Sequence, residues 1–188
     1  MRTAVVTIEG ISPYQQGRYH KTPKLEKEAA DDYEKRTWQE KCHTHKDGTV
    51  FIPPMAFKKA LDTAASMISM KVPGKAGGKA TYTKYFIAGI MVADGLNLPV
   101  KKNEVDGFWV LGNSQGRRGG SGSRVEKCFP TIYEWGGNVT YYILDDTITP
   151  EIFELHVKES GNFVGIGVFR PQNGGYHGRF VVKKVKWE

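Results

Sequence analysis

The sequence has little cysteine and no long apolar run, and these two absences exclude several classes of protein. Its two cysteines, Cys42 and Cys128, are too few for the disulfide framework of a small secreted domain. No apolar stretch approaches the roughly 20 residues of a membrane-spanning helix. The first ten residues also lack the apolar segment of a signal peptide. We therefore expect a cytoplasmic protein that does not enter a membrane.

Acidic side chains are missing from two glycine-containing stretches in the middle of the chain. The whole chain has 27 Lys and Arg against 20 Asp and Glu, a net charge of +7, and residues 51–135 alone have 12 basic against 6 acidic residues. No acid lies between Asp62 and Asp94, or between Asp106 and Glu126. Such loops either solubilise a surface or bind phosphates. Two of them in one chain favour single-stranded nucleic acid, RNA or DNA, as the partner.

The cationic residues that we expect to contact a phosphate backbone lie mostly in the same middle region. Lys58 and Lys59 stand near the start of a predicted helix, whose positive end attracts phosphate. As a charge pair on a solvated helix face they would have no such role. The set outside the C-terminal loop is Arg18, Lys58, Lys59, Lys75, Lys79, Arg117, Arg118 and Arg124.

Alternating and helical periodicities divide the chain into elements. Ala4, Val6 and Ile8 alternate with other residues, which predicts a half-buried strand over 3–10. Pro54 suits the first position of a helix that presents Phe57 to the core and Lys58 to solvent. Further strands are predicted over 49–52, 85–93, 139–144 and 179–187. An exposed helix is predicted over 23–41. A last helix is predicted over 150–160, where Thr149 caps its start and Gly161 ends it.

The order of these elements predicts the fold class. Without insertions at 18–48 and 96–135, the chain reads strand, helix, strand, strand, helix, strand. This is the α+β, ferredoxin-like βαββαβ arrangement, with two helices on one face of a four-stranded antiparallel sheet, as in RRM-like RNA-recognition domains. We therefore expect one domain over 1–188 with an inserted helical segment and a long basic arm at 96–135.

A glycine-rich loop near the C-terminus is the most specific candidate site. Without side chains, its glycines would let main-chain N–H groups approach phosphates, while nearby arginines add charge and an aromatic ring stacks on a base. The turn signal Asn173-Gly174 equally fits a simple hairpin. The candidate residues of this loop are Gly165, Gly167, Arg170, Gly174, Gly175, Tyr176, Gly178 and Arg179.

Three segments of the chain resemble the RAMP superfamily, which supplies backbone subunits and processing nucleases of CRISPR ribonucleoproteins. They read AVVTIEGISPYQQGRYH at 4–20, VFIPPMAFKKALDTAA at 50–65 and ESGNFVGIGVFRPQNGGYHGRF at 159–180. The resemblance implies a ferredoxin-like fold, a glycine-rich loop that touches an RNA backbone, and a thumb at 96–135 that meets a neighbouring subunit. It also implies a role in antiviral defence, or a stand-alone or phage-encoded relative of such a subunit.

The leading hypothesis is a non-catalytic, RNA-binding protein whose copies assemble along the strand. One alternative is a metal-independent endoribonuclease of the same superfamily, in which His20 and His177 would move the protons. A second is a single-strand DNA-binding or annealing protein of a mobile element, and a third is a protein-binding mimic of a CRISPR subunit. We expect no cofactor and no metal site, because Cys42-x-x-His45 lacks the second paired motif of a structural zinc site.

Overall fold

The computed structural model describes residues 1–74, 79–113 and 123–188, and its secondary structure is mixed. The α-helices are α1 (Ala30–Thr37), α2 (Pro54–Ile68), α3 (Thr83–Gly89) and α4 (Pro150–Glu159). The strands are β1 (Arg2–Gly10), β2 (Tyr14–Gln15), β3 (Thr49–Ile52), β4 (Ile90–Met91), β5 (Leu96–Lys101), β6 (Asp106–Asn113), β7 (Arg124–Ile132), β8 (Gly136–Ile143) and β9 (Phe180–Trp187). Within these ranges no helix is long and apolar enough to span a lipid bilayer.

The central sheet confirms the predicted fold class. Its strand order is β4-β8-β1-β9, and every neighbouring pair is antiparallel. Helix α2 lies in the chain between β1 and β4, and α4 lies between β8 and β9. This is the order of a split βαβ pair, so the chain has an α+β, ferredoxin-like core.

The buried face of the sheet follows the alternation that the sequence predicts. Ala4, Val6 and Ile8 of β1 are at most 2% exposed, and Val6 pairs with Val139 of β8. From the helical layer, Phe57 of α2 and Phe153 of α4 are equally buried. Burial of large apolar side chains of this kind stabilises a fold by about 1.5–3 kcal/mol each, so this layer holds the helices on the sheet.

Helix α4 begins as predicted but does not end at Gly161. Thr149 Oγ1 accepts a hydrogen bond from Ile152 N at 3.4 Å, as an N-cap does. The chain then continues through a π-helical turn, Ser160–Val164. A Cβ on Gly161 would lie 2.1 Å from the main-chain oxygen of Phe180, so this glycine allows the turn to pack directly against β9.

Two predicted elements are wrong. Residues 85–93 form most of helix α3 and only a short strand. Phe86 is buried but Ile87 is 53% exposed, so the run is not the fully buried strand that its apolar composition predicted. The helix predicted over 23–41 is reduced to α1 and the 3₁₀ turn Trp38–Lys41, and Lys27 has a positive φ of 58°. An apolar run and a helix-forming composition were each insufficient to set the local structure.

The two predicted insertions pack against each other. Strands β6 and β7 form a regular hairpin within the predicted arm at 96–135, and β7 also pairs with β2. Glu34 of α1 is buried and accepts a hydrogen bond at 2.7 Å from Cys128 N of β7. Lys41 pairs with Glu34 and donates to Cys128 O at 2.8 Å. Helix α1 is therefore fixed to the hairpin rather than exposed.

Burial of His156 predicts a loss of stability in acid. Burial lowers the pKa of this side chain, so the unfolded chain binds more protons than the folded chain once the pH falls below about 6.5. Stability should therefore fall as the pH drops from about 7.5 to about 5, by up to about 1.4 kcal/mol per pH unit for this group. Urea unfolding at a series of pH values measures it.

The matched variants separate His156 from the other histidines. His156→Gln removes one titrating group and should reduce the pH dependence of the unfolding free energy to the part that His43 and His177 contribute, whereas His45→Gln, at an exposed position, should leave it as steep as in the unsubstituted protein. An equally steep dependence in His156→Gln would show that another group causes the acid sensitivity.

Candidate nucleic-acid interface

A groove of about 550 Å³ lies between the segment after β1, the first turns of α2 and the loop after α4. Its walls mix apolar side chains with a few polar and cationic ones. The residues that line it are Tyr14, Gln15, Gln16, Gly17, His43, Pro53, Met55, Ala56, Lys59, Ala60, Thr63, Val164, Gly165, Ile166, Gly167, Val168, Arg170 and Gln172. Each of the three segments quoted above for its resemblance to the RAMP superfamily therefore contributes one wall.

The charge of the groove is positive. Lys59 and Arg170 line it, and no Asp or Glu does so among the described residues. The N-terminus of α2 opens beside them, with no acidic residue in its first turn and with Pro53 as an N-cap that supplies no side-chain bond. Pro53 and Pro54 have no N–H and Ala56 N donates to Pro53 O at 2.9 Å, so this helix end contributes positive charge mainly through the helix dipole. The site is suited to an anion with an apolar part.

Arg170 is held in place by its own loop. Its Nη1 donates to Gly167 O at 3.0 Å and its Nε donates to Gln172 Oε1 at 3.1 Å. Lys59 is exposed on α2 and forms no ion pair with the residues that the structure describes. The Arg170 guanidinium is thus held in one orientation, whereas no ion pair of this kind fixes the flexible side chain of Lys59.

Two buried glutamines support the floor of the groove. Gln15 Nε2 donates to Thr131 Oγ1 at 3.1 Å, and its Oε1 lies 2.6 Å from Nδ1 of the buried His177. Gln16 Nε2 donates to Phe51 O at 2.8 Å. Because both side chains are fully engaged with the protein, they shape the groove rather than read a ligand.

His43 lines the groove and is a site residue that sequence reasoning missed. Its main-chain N–H donates to Gln16 Oε1 at 2.6 Å. Burial lowers the pKa of its imidazole, and the charge of Arg18 lowers it further. The sequence placed His43 beside Cys42 and His45 but gave no sign that it faces the glycine-rich loop. In the described residues no three His, Cys, Asp or Glu side chains are grouped as a metal site requires.

The glycines of the C-terminal loop are explained by contacts within the protein. A Cβ would lie 2.3 Å from Gln15 O at Gly167, 1.7 Å from Phe169 O at Gly175, and 1.8 Å from Ile166 O at Gly178. The N–H of Gly178 also donates to Pro13 O at 2.8 Å. These glycines allow two stretches of main chain to touch, which brings the loop against the segment after β1.

The loop is not the simple hairpin that Asn173-Gly174 also indicated. Residues Pro171–Asn173 form a 3₁₀ turn, and Gly174 ends it with a φ of +79°. Gly165 also has a positive φ, of +68°, where the π-helical turn ends. Both positions need the left-handed conformation that glycine adopts without strain.

The predicted cations are distributed over several surfaces. Lys58 is 8% exposed, and its ammonium pairs with Asp62 and donates to Phe86 O at 3.2 Å, so its predicted exposed position on the helix is wrong. It is buried because α3, which the sequence did not predict, covers that side of α2. Lys79 and Arg124 are exposed outside the groove. Lys75, Arg117 and Arg118 lie outside the described residues.

Residues next to the groove fall into two groups. Arg18 is exposed at its edge, where Nη1 donates to Cys42 O at 3.2 Å. Tyr176 is 64% exposed with its ring centroid 4.3 Å from that of His177. Arg179 is half-buried, with its N–H bonded to Ser12 Oγ at 2.9 Å. The first two are available to a ligand, while Arg179 mainly holds the loop.

The two histidines of the nuclease alternative do not line the groove. His20 stacks on Tyr33 with 6.1 Å between ring centroids, in the segment before α1. His177 is 5% exposed, lies edge-on to Phe108 at 5.5 Å, and has its pKa lowered by burial. The structure brings neither imidazole to the cationic side chains of the groove.

Comparisons with known proteins give little beyond these observations. A scan against models of protein families found no match, and a search of curated proteins found none either. Among solved structures, Cmr6 from Pyrococcus furiosus is similar over 97% of this chain and 98% of that chain, with 14% sequence identity and a TM-score of 0.48.

A pair of glycine variants tests the packing role of the loop. Gly178 and Gly48 both have a positive φ, of 70° and 82°, but a Cβ at Gly48 meets nothing within 4 Å. Gly48→Ala should therefore cost about 1–2 kcal/mol, the backbone strain alone. Gly178→Ala should cost about 3 kcal/mol or more, because its Cβ also collides with main chain. Urea unfolding measures both, and equal losses would show that the close contact at Gly178 does not exist.

Proposed function

We propose that this protein binds single-stranded nucleic acid, RNA in the first instance, in the groove between α2 and the glycine-rich loop. One observation carries the proposal: three separate segments of the chain build a groove in which Lys59, Arg170 and the N-terminus of α2 meet and no described acid is present. Phosphates bind where cationic side chains meet the positive end of a helix dipole.

The apolar part of the groove favours a single strand over a duplex. Met55 and Ile166 are among its lining residues, and they offer contact area to a ribose or a base rather than to a phosphate. Tyr176 and Phe169, next to the groove, are 64% and 37% exposed. Proteins that bind single strands combine a cationic groove with aromatic side chains on which bases stack. In a duplex the bases are paired and do not reach such surfaces.

The same groove supports a non-catalytic role. Cleavage of RNA without metal needs an acid and a base beside the scissile phosphate. His20 and His177, the pair that would supply them, lie outside the groove, and His43 is the one described histidine that lines it, so no pair of imidazoles is brought together there. We therefore rank binding above the endoribonuclease alternative, and labelled RNA kept with the protein in EDTA should remain full length.

We also propose that the chain is a relative of RAMP-superfamily subunits and acts as one domain over 1–188. Its ferredoxin-like sheet order and the meeting of the three motif segments at one groove support this relation. Insertions 18–48 and 96–135 pack on each other through Glu34 and Cys128, which supports a single unit. We place the protein in the cytoplasm, where RNA of a CRISPR ribonucleoprotein or of a phage would be its partner.

Removing the two groove cations should weaken binding and its salt dependence. Each phosphate contact releases counterions, so Lys59→Ala with Arg170→Ala should lower affinity for a labelled oligouridine about tenfold or more and reduce the slope of log K against log salt by about 1–2. Fluorescence anisotropy at several salt concentrations measures both quantities.

The control for this pair lies on the far edge of the sheet. Lys184 and Lys186 of β9 are exposed and do not line the groove, so their double alanine variant removes the same charge elsewhere. If both double variants lose the same affinity, binding depends on net charge alone and the groove has no special role.

The hairpin of β6 and β7 should control assembly along a strand. Trp109 and Leu111 of β6 are 43% and 65% exposed, and we propose that the hairpin reaches a second copy on the same nucleic-acid strand through this face. Because Asn113 pairs with Arg124, an Asn-Gly turn in place of residues 114–123 leaves two residues between the paired positions and should close the hairpin in register. The shortened protein should still bind RNA but lose cooperativity.

Mass photometry against oligonucleotide length reads out this effect. The full chain should add copies in regular steps as the strand lengthens, whereas the shortened protein should bind independently. One bound copy at every length, for both proteins, would contradict assembly and leave an isolated binding module.

A further inference from the structure

The main chain holds His43 in a fixed position at the groove. Its N–H donates to Gln16 Oε1 at 2.6 Å, and its carbonyl oxygen accepts from Phe51 N at 3.0 Å. The imidazole packs edge-on to the Phe51 ring, with 5.8 Å between centroids. The ring therefore cannot leave the groove wall without breaking contacts with β3 and with the segment after β2.

The imidazole of His43 has no partner of its own. Neither ring nitrogen forms a hydrogen bond within the part of the chain that the structure describes, and neither is an enclosed, unsatisfied atom. His177, by contrast, has its Nδ1 engaged by Gln15. Of the described histidines, His43 alone lines the groove.

The charged groups that face His43 are cationic. Arg18, from the segment after β2, acts on its imidazole, while Lys59 of α2 and Arg170 of the glycine-rich loop line the same groove. The nearest acid of the neighbouring 3₁₀ turn, Glu40, is already paired with Lys102 at 2.6 Å. In the free protein the neutral imidazole is therefore favoured.

We propose that His43 is a proton-dependent contact of the bound strand, whose imidazole takes up a proton when phosphates enter the groove. The inference rests on the proposed function of the groove. A phosphate bound in the groove beside Lys59 and Arg170 brings negative charge that offsets the effect of Arg18 on an imidazolium, and it offers an acceptor to the unpartnered ring.

The direction of the pH effect follows from linkage. Burial and Arg18 keep the pKa of His43 low in the free protein, and a bound phosphate raises it. The protein with a protonated His43 then binds more tightly. Affinity therefore begins to rise when the pH falls below the pKa of His43 in the complex, and it stops rising below the pKa of His43 in the free protein. One group changes affinity by at most about tenfold per pH unit.

Anisotropy titrations of a labelled oligouridine from about pH 8 to about pH 5.5, at constant ionic strength, test the proposal. The unsubstituted protein should bind about three- to tenfold more tightly at the acid end. His43→Gln cannot protonate and should lose this gain, so its affinity should be about the same at both ends of the pH range. His45→Gln, a neighbouring exposed histidine, should retain the gain. Circular dichroism at each pH confirms that all three proteins stay folded.

Calorimetry gives a second readout that does not depend on affinity. Titrations in buffers of different ionisation heat should show net proton uptake on binding for the unsubstituted protein and for His45→Gln, but less for His43→Gln. Equal uptake and equal pH slopes in all three proteins would overturn the inference. In that case, weaker binding by the double variant Lys59→Ala with Arg170→Ala than by the unsubstituted protein would show that the groove binds the oligonucleotide and that only the role of His43 is wrong. Absence of binding by every protein at every pH would overturn the proposed function and this inference with it.

Discussion

A close main-chain contact between the segment after β1 and the glycine-rich loop is the constraint on which the groove depends. Val168 N donates to Gln15 O at 3.1 Å, and Gly178 N donates to Pro13 O at 2.8 Å. Only glycine fits at position 167, because a Cβ there would lie 2.3 Å from Gln15 O. This contact sets the distance from the loop to α2, and so fixes Arg170 across the groove from Lys59.

Aromatic side chains carry the same constraint into the hairpin. Phe169 of the loop, which has a positive φ of 55°, lies edge-on to Phe129 of β7 at 5.3 Å and to Phe108 of β6 at 6.2 Å. A positive φ in a bulky residue is strained, and its packing against two rings stabilises it. The hairpin is in turn fixed to α1 through Glu34. Loop, hairpin and α1 are therefore connected by direct contacts.

The sequence predicted the framework better than the site. Alternation predicted β1 and β8 correctly, because a half-buried sheet imposes period two on its residues. The fold class followed from the order of the predicted elements, in which the run at 85–93 counted as a strand that the structure keeps only as β4. The same reasoning missed α3, whose apolar Ile87 faces solvent, and it placed Lys58 outside although α3 covers it. Residues brought together over a long sequence distance leave no local pattern, which is why His43 was not recognised as part of the groove.

Cross-linking tests the central claim, that a single strand lies in this groove, most directly. A 4-thiouridine oligonucleotide, irradiated in complex with the full chain and mapped by mass spectrometry, should attach to peptides from 14–17, 53–63 and 164–172, which form the three walls. Tyr176 should also be modified, because it is exposed next to them. Cross-links confined to β9, to α1 or to the hairpin, with none in these three segments, would contradict the account.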